Sequence, residues 1–231
     1  MEQFQRLEII IGKENLEKIK NTTVLIVGLG GVGSFALESI VRNGIGKVII
    51  VDNDIVDITN INRQLIAFHS TIGKYKTDVV EKRILDINPN CKVIKITKFI
   101  DDKNIYELFE NNIDYIVDAC DTINVKKNLI RISKQKNIKL ISSMSMGFKM
   151  NPSLVKIMDL KKTSYDPIAK ILRKMVRDEK ISGKIMVVCS DEKVDVKNKK
   201  TIGSNCLVPS LAGLLCSSYI INDICEVKNE K

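Results

Sequence analysis

Tryptophan is absent from the 231 residues, aromatic residues make up only 5%, and there are four prolines and one histidine. That histidine, His69, follows a helical stretch and precedes Ser70-Thr71, so it reads as a loop residue and not a catalytic base. Six cysteines (Cys91, Cys120, Cys189, Cys206, Cys216 and Cys225) include no C-x-x-C pair. Neither a disulfide framework nor a zinc ribbon is suggested, and reduced, mostly buried thiols are expected. No G-x-x-x-x-G-K-[ST] run is present, which excludes the ordinary ATPase phosphate loop. Internal repeats, low-complexity tracts and long linkers are missing as well. The opening MEQFQRLEII lacks the order of a secretory signal, so the expected location is cytoplasmic.

What is present is an ordinary globular composition, 44% hydrophobic and 28% charged. The length suits one domain over residues 1–231, with a core from about 20 to 145 and an extension from about 146 to 231. Ile202–Cys225 has a single charge, Asp223. Pro209, Asn205, Asn222 and several serines dilute it, so a helix from Pro209 packed on the fold is expected, with no membrane partner. The net charge is +9, but residues 1–120 sum to −2 and residues 121–231 to +11. Such asymmetry points to a polyanionic partner, nucleic acid before membrane.

Thr23–Val27 is a β-branched apolar run, followed by Gly28–Gly33 (GLGGVG) and a helically spaced stretch that stops at Gly44. This reads as strand, tight turn, helix. Further strands are expected at Lys47–Val51, Lys92–Thr97, Asp114–Asp118 and Lys139–Ser142, with helices at Lys76–Asn88 and Ile123–Lys136 between them. The alternation implies an α/β fold, a Rossmann-like, doubly wound, mostly parallel sheet. Beyond it, the extension is expected to comprise an extended Pro152–Leu160, a helix at Asp166–Arg177, a strand at Lys184–Cys189 and a charged loop at Asp191–Lys200.

Glycines 28, 30, 31 and 33 between strand and helix let the backbone approach a phosphate at a helix N-terminus. Asp52 ends the second strand, where a carboxylate accepts from ribose hydroxyls. These features alone suit a dinucleotide dehydrogenase. Asn60-Ile-Asn62-Arg63-Gln64, and Gly73-Lys74-Tyr75-Lys76 at a helix start, do not. Two cations, Arg63 and Lys76, near a glycine turn suit a triphosphate better than a pyrophosphate already held by amides. Val117–Asp121 (VDACD) brings acidic groups to the carboxyl edge of the sheet, and Asp121 is placed to hold magnesium or to cap the next helix.

GLGGVGSFALESIVRNGIGKVIIVDNDIVDITNINRQ, then GKYK and VDACDT, resembles the ubiquitin-activating-type adenylyltransferases, which turn a carboxylate into an acyl adenylate with ATP and magnesium. The resemblance implies that Gly28, Gly30, Gly31, Gly33, Asp52, Asp54, Asn60, Arg63, Gln64 and Lys76 bind the nucleotide. Asp121 would hold Mg2+, and Arg6, in Gln5-Arg6-Leu7, would reach the neighbouring site of a homodimer. Within this superfamily the chain is similar to the tRNA threonylcarbamoyladenosine dehydratases through FQRLEIIIGKENLEKIK, ISSMSMG, TSYDPIAKILRKMVR and IGSNCLVPSLAGLL. That likeness implies a tRNA partner, a C-terminal antiparallel extension, no zinc and a possible sulfur-relay protein. Lys170, Arg173, Lys174 and Arg177 recur at helical spacing and are expected to face tRNA phosphates. The alternatives are an activator of a ubiquitin-like sulfur carrier, with Cys189 or Cys206 as a conceivable nucleophile, a non-catalytic tRNA- or nucleotide-binding module, and an NAD oxidoreductase.

Overall fold

The computed structural model describes residues 2–194 and 201–227. Five strands, β1 (Thr23–Val27), β2 (Lys47–Val51), β3 (Lys92–Ile96), β4 (Tyr115–Asp118) and β5 (Lys139–Ser143), are joined by helices. Two more, β6 (Val155–Asp159) and β7 (Met186–Ser190), follow in the C-terminal part. The sheet runs β3-β2-β1-β4-β5-β7-β6. Every neighbouring pair is parallel except β6 and β7, which are antiparallel. The expected fold and its antiparallel extension are therefore both present.

The central strands β1, β2 and β4 are buried without alternation because both faces of the sheet are covered there, while β3 and β6 at the edges are only partly buried. In β1 all five residues are buried: Val24 and Ile26 pack into one layer and Leu25 and Val27 into the other. The first layer is closed by α2 (Lys13–Lys20), α3 (Gly33–Arg42), α4 (Lys76–Ile87) and α7 (Leu207–Ile224). The second is closed by α5 (Ile123–Gln135), α6 (Pro167–Asp178) and a 3-10 turn at Ile105–Phe109. Burying a single side chain such as Ile26, which is 0% exposed, stabilises the fold by about 1.5–3 kcal/mol.

Several boundaries differ from the sequence reading. The extended Pro152–Leu160 resolves into a 3-10 turn, Pro152–Leu154, whose Asn151 side chain accepts from Ser153 N, and then β6. The strand expected at Lys184–Cys189 begins two residues later, and the last helix begins at Leu207, two residues ahead of Pro209. Proline is tolerated there because the first helical turn has no intrahelical use for its N–H; Asn205 Oδ1 accepts from Val208 N instead, at 3.1 Å. α7 is long and apolar enough to cross a membrane by length and composition. In this fold it packs on α3, and Gly213 makes the approach possible: a Cβ there would lie 2.4 Å from Val32 O. Of the expected charged loop Asp191–Lys200, residues 195–200 lie outside the described residues.

α1 (Gln5–Ile11) has no buried residue; Ile9 and Ile10 are 79% and 81% exposed. Gly12, at φ 81°, turns the chain from α1 into α2.

Candidate adenylation site

The strand order reverses between β1 and β4, and the turns that leave these two strands part there to open a crevice. A cavity of about 590 Å³ occupies it. Gly28, at φ 92°, leaves β1 so close to the β4 turn that a Cβ would sit 2.7 Å from Ala119 O. Gly33 lies under that turn and not on the cavity wall: its Cβ would be 1.8 Å from Gly28 O, so glycine is needed for α3 to start there. Gly30 faces open space, with only the Gln64 side chain within 4 Å of an added Cβ. Ligand phosphate can approach the backbone at that point.

Cavity-lining residues include Gly28, Gly30, Gly31, Asp52, Asp54, Asn60, Arg63, Gln64, Lys76 and Asp121. All the nucleotide-binding candidates other than Gly33 are thus brought together. Asp52 Oδ2 accepts from Leu29 N at 2.7 Å, and Oδ1 accepts from Asp54 N at 2.8 Å. Burial pushes its carboxyl above the ordinary aspartate value, and Lys76 nearby opposes that rise. Lys76 is buried at the start of α4, its Nζ 2.7 Å from Asp54 Oδ2 and 4.0 Å from Asp52 Oδ2. Asp57 caps the 3-10 turn Ile58–Asn60, and Asn60 Oδ1 accepts in return from Asp57 N at 3.1 Å. Arg63 leans on neutral oxygens, donating to Thr59 O at 2.6 Å and Asn62 Oδ1 at 3.0 Å. Among the described residues no carboxylate pairs with it. Gln64 Oε1 is buried with no hydrogen-bond partner. A guanidinium without a carboxylate partner on the cavity wall is what an anionic ligand would complete.

Asp121 is exposed at the cavity edge and, among the described residues, its carboxylate has no partner. It does not cap α5; Thr122 occupies the N-cap, without a side-chain bond. Magnesium is commonly held by one or two carboxylates plus substrate phosphates, and a lone carboxylate beside a phosphate cradle fits that pattern.

Two buried ion pairs escaped the sequence reading. Asp118, at the end of β4, accepts from Lys126 Nζ at 3.0 Å and Ser142 Oγ at 2.6 Å; Lys126 Nζ also donates to Ser143 O at 2.8 Å. Burial alone would lower the Lys126 ammonium, but the Asp118 carboxylate outweighs it and the value is raised. Lys149 Nζ lies 3.4 Å from Asp166 Oδ2 in the second pair. One signal was available. Lys126 shares a helical stripe with Leu129, Ile130 and Ser133, where a solvated lysine would not fall.

Cys120 is the cysteine on the cavity wall, and it is ill suited to nucleophilic work. Burial and the Asp118 carboxylate hold its thiol well above the usual range. Burial pushes the Cys189 thiol up to about 11. Cys206 is exposed and does not line the cavity. Arg6 is exposed on α1 and likewise does not line it. On α6, Lys170, Lys174 and Arg177 are exposed, but Arg173 departs from the expected phosphate face. It is half-buried, its Nη1 donating to Thr163 O at 2.9 Å and to Thr163 Oγ1. Leu172, Met175 and Val176 draw that side of the helix into the core, and the arginine lies along the boundary.

Comparison with known proteins agrees with this geometry. A family model described as the ThiF family matches residues 3–223. The chain is similar to the tRNA threonylcarbamoyladenosine dehydratase of Bacillus subtilis (strain 168), 42% identical over 251 aligned positions that cover 100% of this chain and 99% of that protein. A yeast relative from Saccharomyces cerevisiae, tRNA threonylcarbamoyladenosine dehydratase 2, is 34% identical across 87% of this chain and 46% of its own length. Among solved structures, Escherichia coli tRNA N6-threonylcarbamoyladenosine dehydratase, TcdA, in complex with AMP superposes with a TM-score of 0.91. It is 29% identical and covers 97% of this chain and 94% of its own. The same enzyme in complex with ATP gives 0.90.

Proposed function

This chain belongs to the ThiF family, and from that premise we propose that it is an ATP-dependent tRNA threonylcarbamoyladenosine dehydratase. The observation that carries the reading is the make-up of one cavity. A glycine turn, Arg63, Lys76 and Asp121 surround space for a triphosphate, while burial and the Asp118 carboxylate raise the thiol of the cysteine on its wall. Such a site can activate a carboxylate but offers no thiolate to receive it. In this reading the substrate supplies the next nucleophile.

In the first step a carboxylate oxygen of the threonylcarbamoyl group attacks the α-phosphorus of ATP and pyrophosphate leaves. In the second a nitrogen of the same substituent attacks the acyl carbon, loses its proton and expels AMP. The net change is loss of one water from the nucleoside, with ATP converted to AMP and pyrophosphate. Ring closure within one substituent gains from proximity and calls for no enzymic nucleophile. The chain's part is electrostatic: Arg63, Lys76 and the amides of the Gly28–Gly33 turn stabilise charge that builds on the α-phosphate. Asp52 accepts from the ribose. A magnesium ion at Asp121 would neutralise phosphate charge when bound.

Incubating the protein with ATP, magnesium and tRNA carrying threonylcarbamoyladenosine should release AMP and pyrophosphate. Nucleoside mass spectrometry under mild conditions should then show a product lighter by one water. ATP binding without AMP release would leave only a binding module. AMP release driven by a ubiquitin-like carrier protein, and not by tRNA, would favour the sulfur-carrier alternative.

The assembly is a homodimer in this reading. Arg6 lies outside its own cavity on a helix whose Ile9 and Ile10 have no cover, so a second copy is the natural recipient of both. Mixed Arg6→Ala and Arg63→Ala proteins should recover activity in hybrid dimers. Proven subunit exchange without recovery would refute a shared site. Docking of a sulfur-relay protein and a cytoplasmic location complete the proposal.

A further inference from the structure

Tyr165 stands in the connection before α6, and the adenylation chemistry does not use it. It is 64% exposed, and its backbone is left-handed at φ 56°. Bulky residues rarely adopt that conformation, whereas glycine does so without steric cost. The loop is clamped on both sides of the ring. Thr163, two residues before, is buried and held by Arg173. Asp166, the next residue, is buried and makes bonds in three directions. Its Oδ1 caps α6 by accepting from Ala169 N at 2.9 Å, and its Oδ2 accepts from Ser145 N at 3.0 Å and faces Lys149 Nζ at 3.4 Å. Lys149 in turn donates to Ser190 O at 3.3 Å, which ties the loop to the end of β7. Ser145 and Ile168 both line the adenylation cavity. The backbone that carries the projecting ring is therefore tied to the cavity wall through Asp166 and Ser145.

Its surroundings are cationic. Lys193 Nζ lies 5.9 Å from the ring centroid, and Lys161, Lys162 and Lys170 are exposed on the same connection and helix. Phe99 and Tyr106 are similarly exposed, but Lys98 beside Phe99 is neutralised by Glu107 at 2.6 Å, and Glu107 adjoins Tyr106. Among the exposed aromatic residues described, Tyr165 is the one with a lysine ammonium over its ring, on a backbone held by buried neighbours. That pairing suits an unpaired nucleobase, which has a π-face to stack and a phosphate on either side.

We propose that Tyr165 is a stacking platform for an unpaired base of the tRNA loop, placed beside the adenosine being modified, and that the buried Asp166–Lys149 pair holds it in position. The proposal rests on the reading of tRNA as the substrate. An exposed acidic protein segment is the competing occupant.

The chain has no tryptophan, so Tyr165→Trp introduces a single indole at the platform. Its fluorescence should be quenched saturably by tRNA carrying threonylcarbamoyladenosine. In steady-state assays Tyr165→Ala should raise KM for that tRNA by about 10- to 100-fold, the range of losing one stacked base. Its kcat and its ATP affinity should stay at the wild-type level, and Tyr165→Phe should behave as wild type. Wild-type KM for Tyr165→Ala, or an unquenched indole while filter binding shows the tRNA bound, would overturn the platform. Quenching by the tRNA in a protein that releases no AMP would keep the platform and refute the reaction. If wild type fails to bind the tRNA at all, both fall and the acidic-segment alternative gains.

Discussion

Lys76 and Arg63 have the same expected task but different physical situations. Arg63 is partly exposed and rests on neutral oxygens, so its removal strands no charge. Lys76 is buried against Asp54 and within 4.0 Å of Asp52, and without it two carboxylates face each other. Arg63→Ala and Lys76→Ala should each lower turnover by about two to three orders of magnitude, the size of losing a preorganised charge contact in a transition state. Thermal unfolding should separate them. Arg63→Ala should melt with wild type, and Lys76→Ala roughly 2–8 °C lower, as expected for a loss of one or two kcal/mol in a chain of this length. Near-normal activity in both would remove the adenylation site from this cavity. Tyr165 adds a third case, a side chain whose backbone conformation runs against its own preference and whose position is set by its neighbours.

At the scale of elements, α3 and α4 are clamped through Glu38. Arg83 grips its carboxylate with two bonds, Nε to Oε2 at 2.6 Å and Nη2 to Oε1 at 2.8 Å, and Arg42 Nε adds a third at 2.7 Å. Burial alone would raise the Glu38 carboxyl, but the two guanidiniums together lower it below the ordinary glutamate value of 4.5. The sign follows from linkage: a carboxylate depressed in the folded state lends stability that is present above its unfolded pKa and lost as pH falls through the folded one. Arg83→Ala should cost about 1 kcal/mol at neutral pH, since the bidentate pair is only partly screened. That difference should shrink once the pH drops below the ordinary glutamate range. Urea midpoints for both proteins at pH 7 and at acidic pH measure it; a pH-independent difference would assign the loss to packing by the arginine stem. The consequence reaches the site, because α3 starts at the glycine turn and α4 starts at Lys76.

Over the whole molecule, charge and chemistry separate. The turn and cations that would hold ATP lie in the half that sums to −2, and α6 lies in the half that sums to +11. A tRNA bound along α6 releases counterions for each phosphate contact, so its affinity should fall steeply with salt. Reversing Lys170, Lys174 and Arg177 to Glu should flatten the log–log salt slope by roughly 2–3, about 0.7–0.9 per lost contact. ATP affinity should hold. Arg173→Glu should behave differently and lower stability, because that side chain is bonded to Thr163. Equal salt slopes for the triple variant and wild type would make α6 an ordinary solvated surface.

The sequence by itself determined the parallel core, from Thr23–Val27 to Lys139–Ser143, and most of the residues that line the candidate site. These depend on local patterns: apolar runs closed on both faces, a glycine turn where Cβ atoms cannot fit, and polar residues a few positions beyond a strand. Gly28, Asp52, Arg63 and Lys76 were legible because the fold delivers strand ends to one edge whatever the side chains between them. Only the tertiary structure decided the pairings across that edge. Asp118 with Lys126, and Asp166 with Lys149, are charges whose partners lie 8 and 17 residues away, joined by neutralisation in a buried layer. No periodicity reports such a partner, since burial is a property of what packs from elsewhere in the chain. The same reason moved Arg173 from a free face to a bond with Thr163, and left α1 with Ile9 and Ile10 exposed while Ile11 packs on the core, a division that spacing did not report.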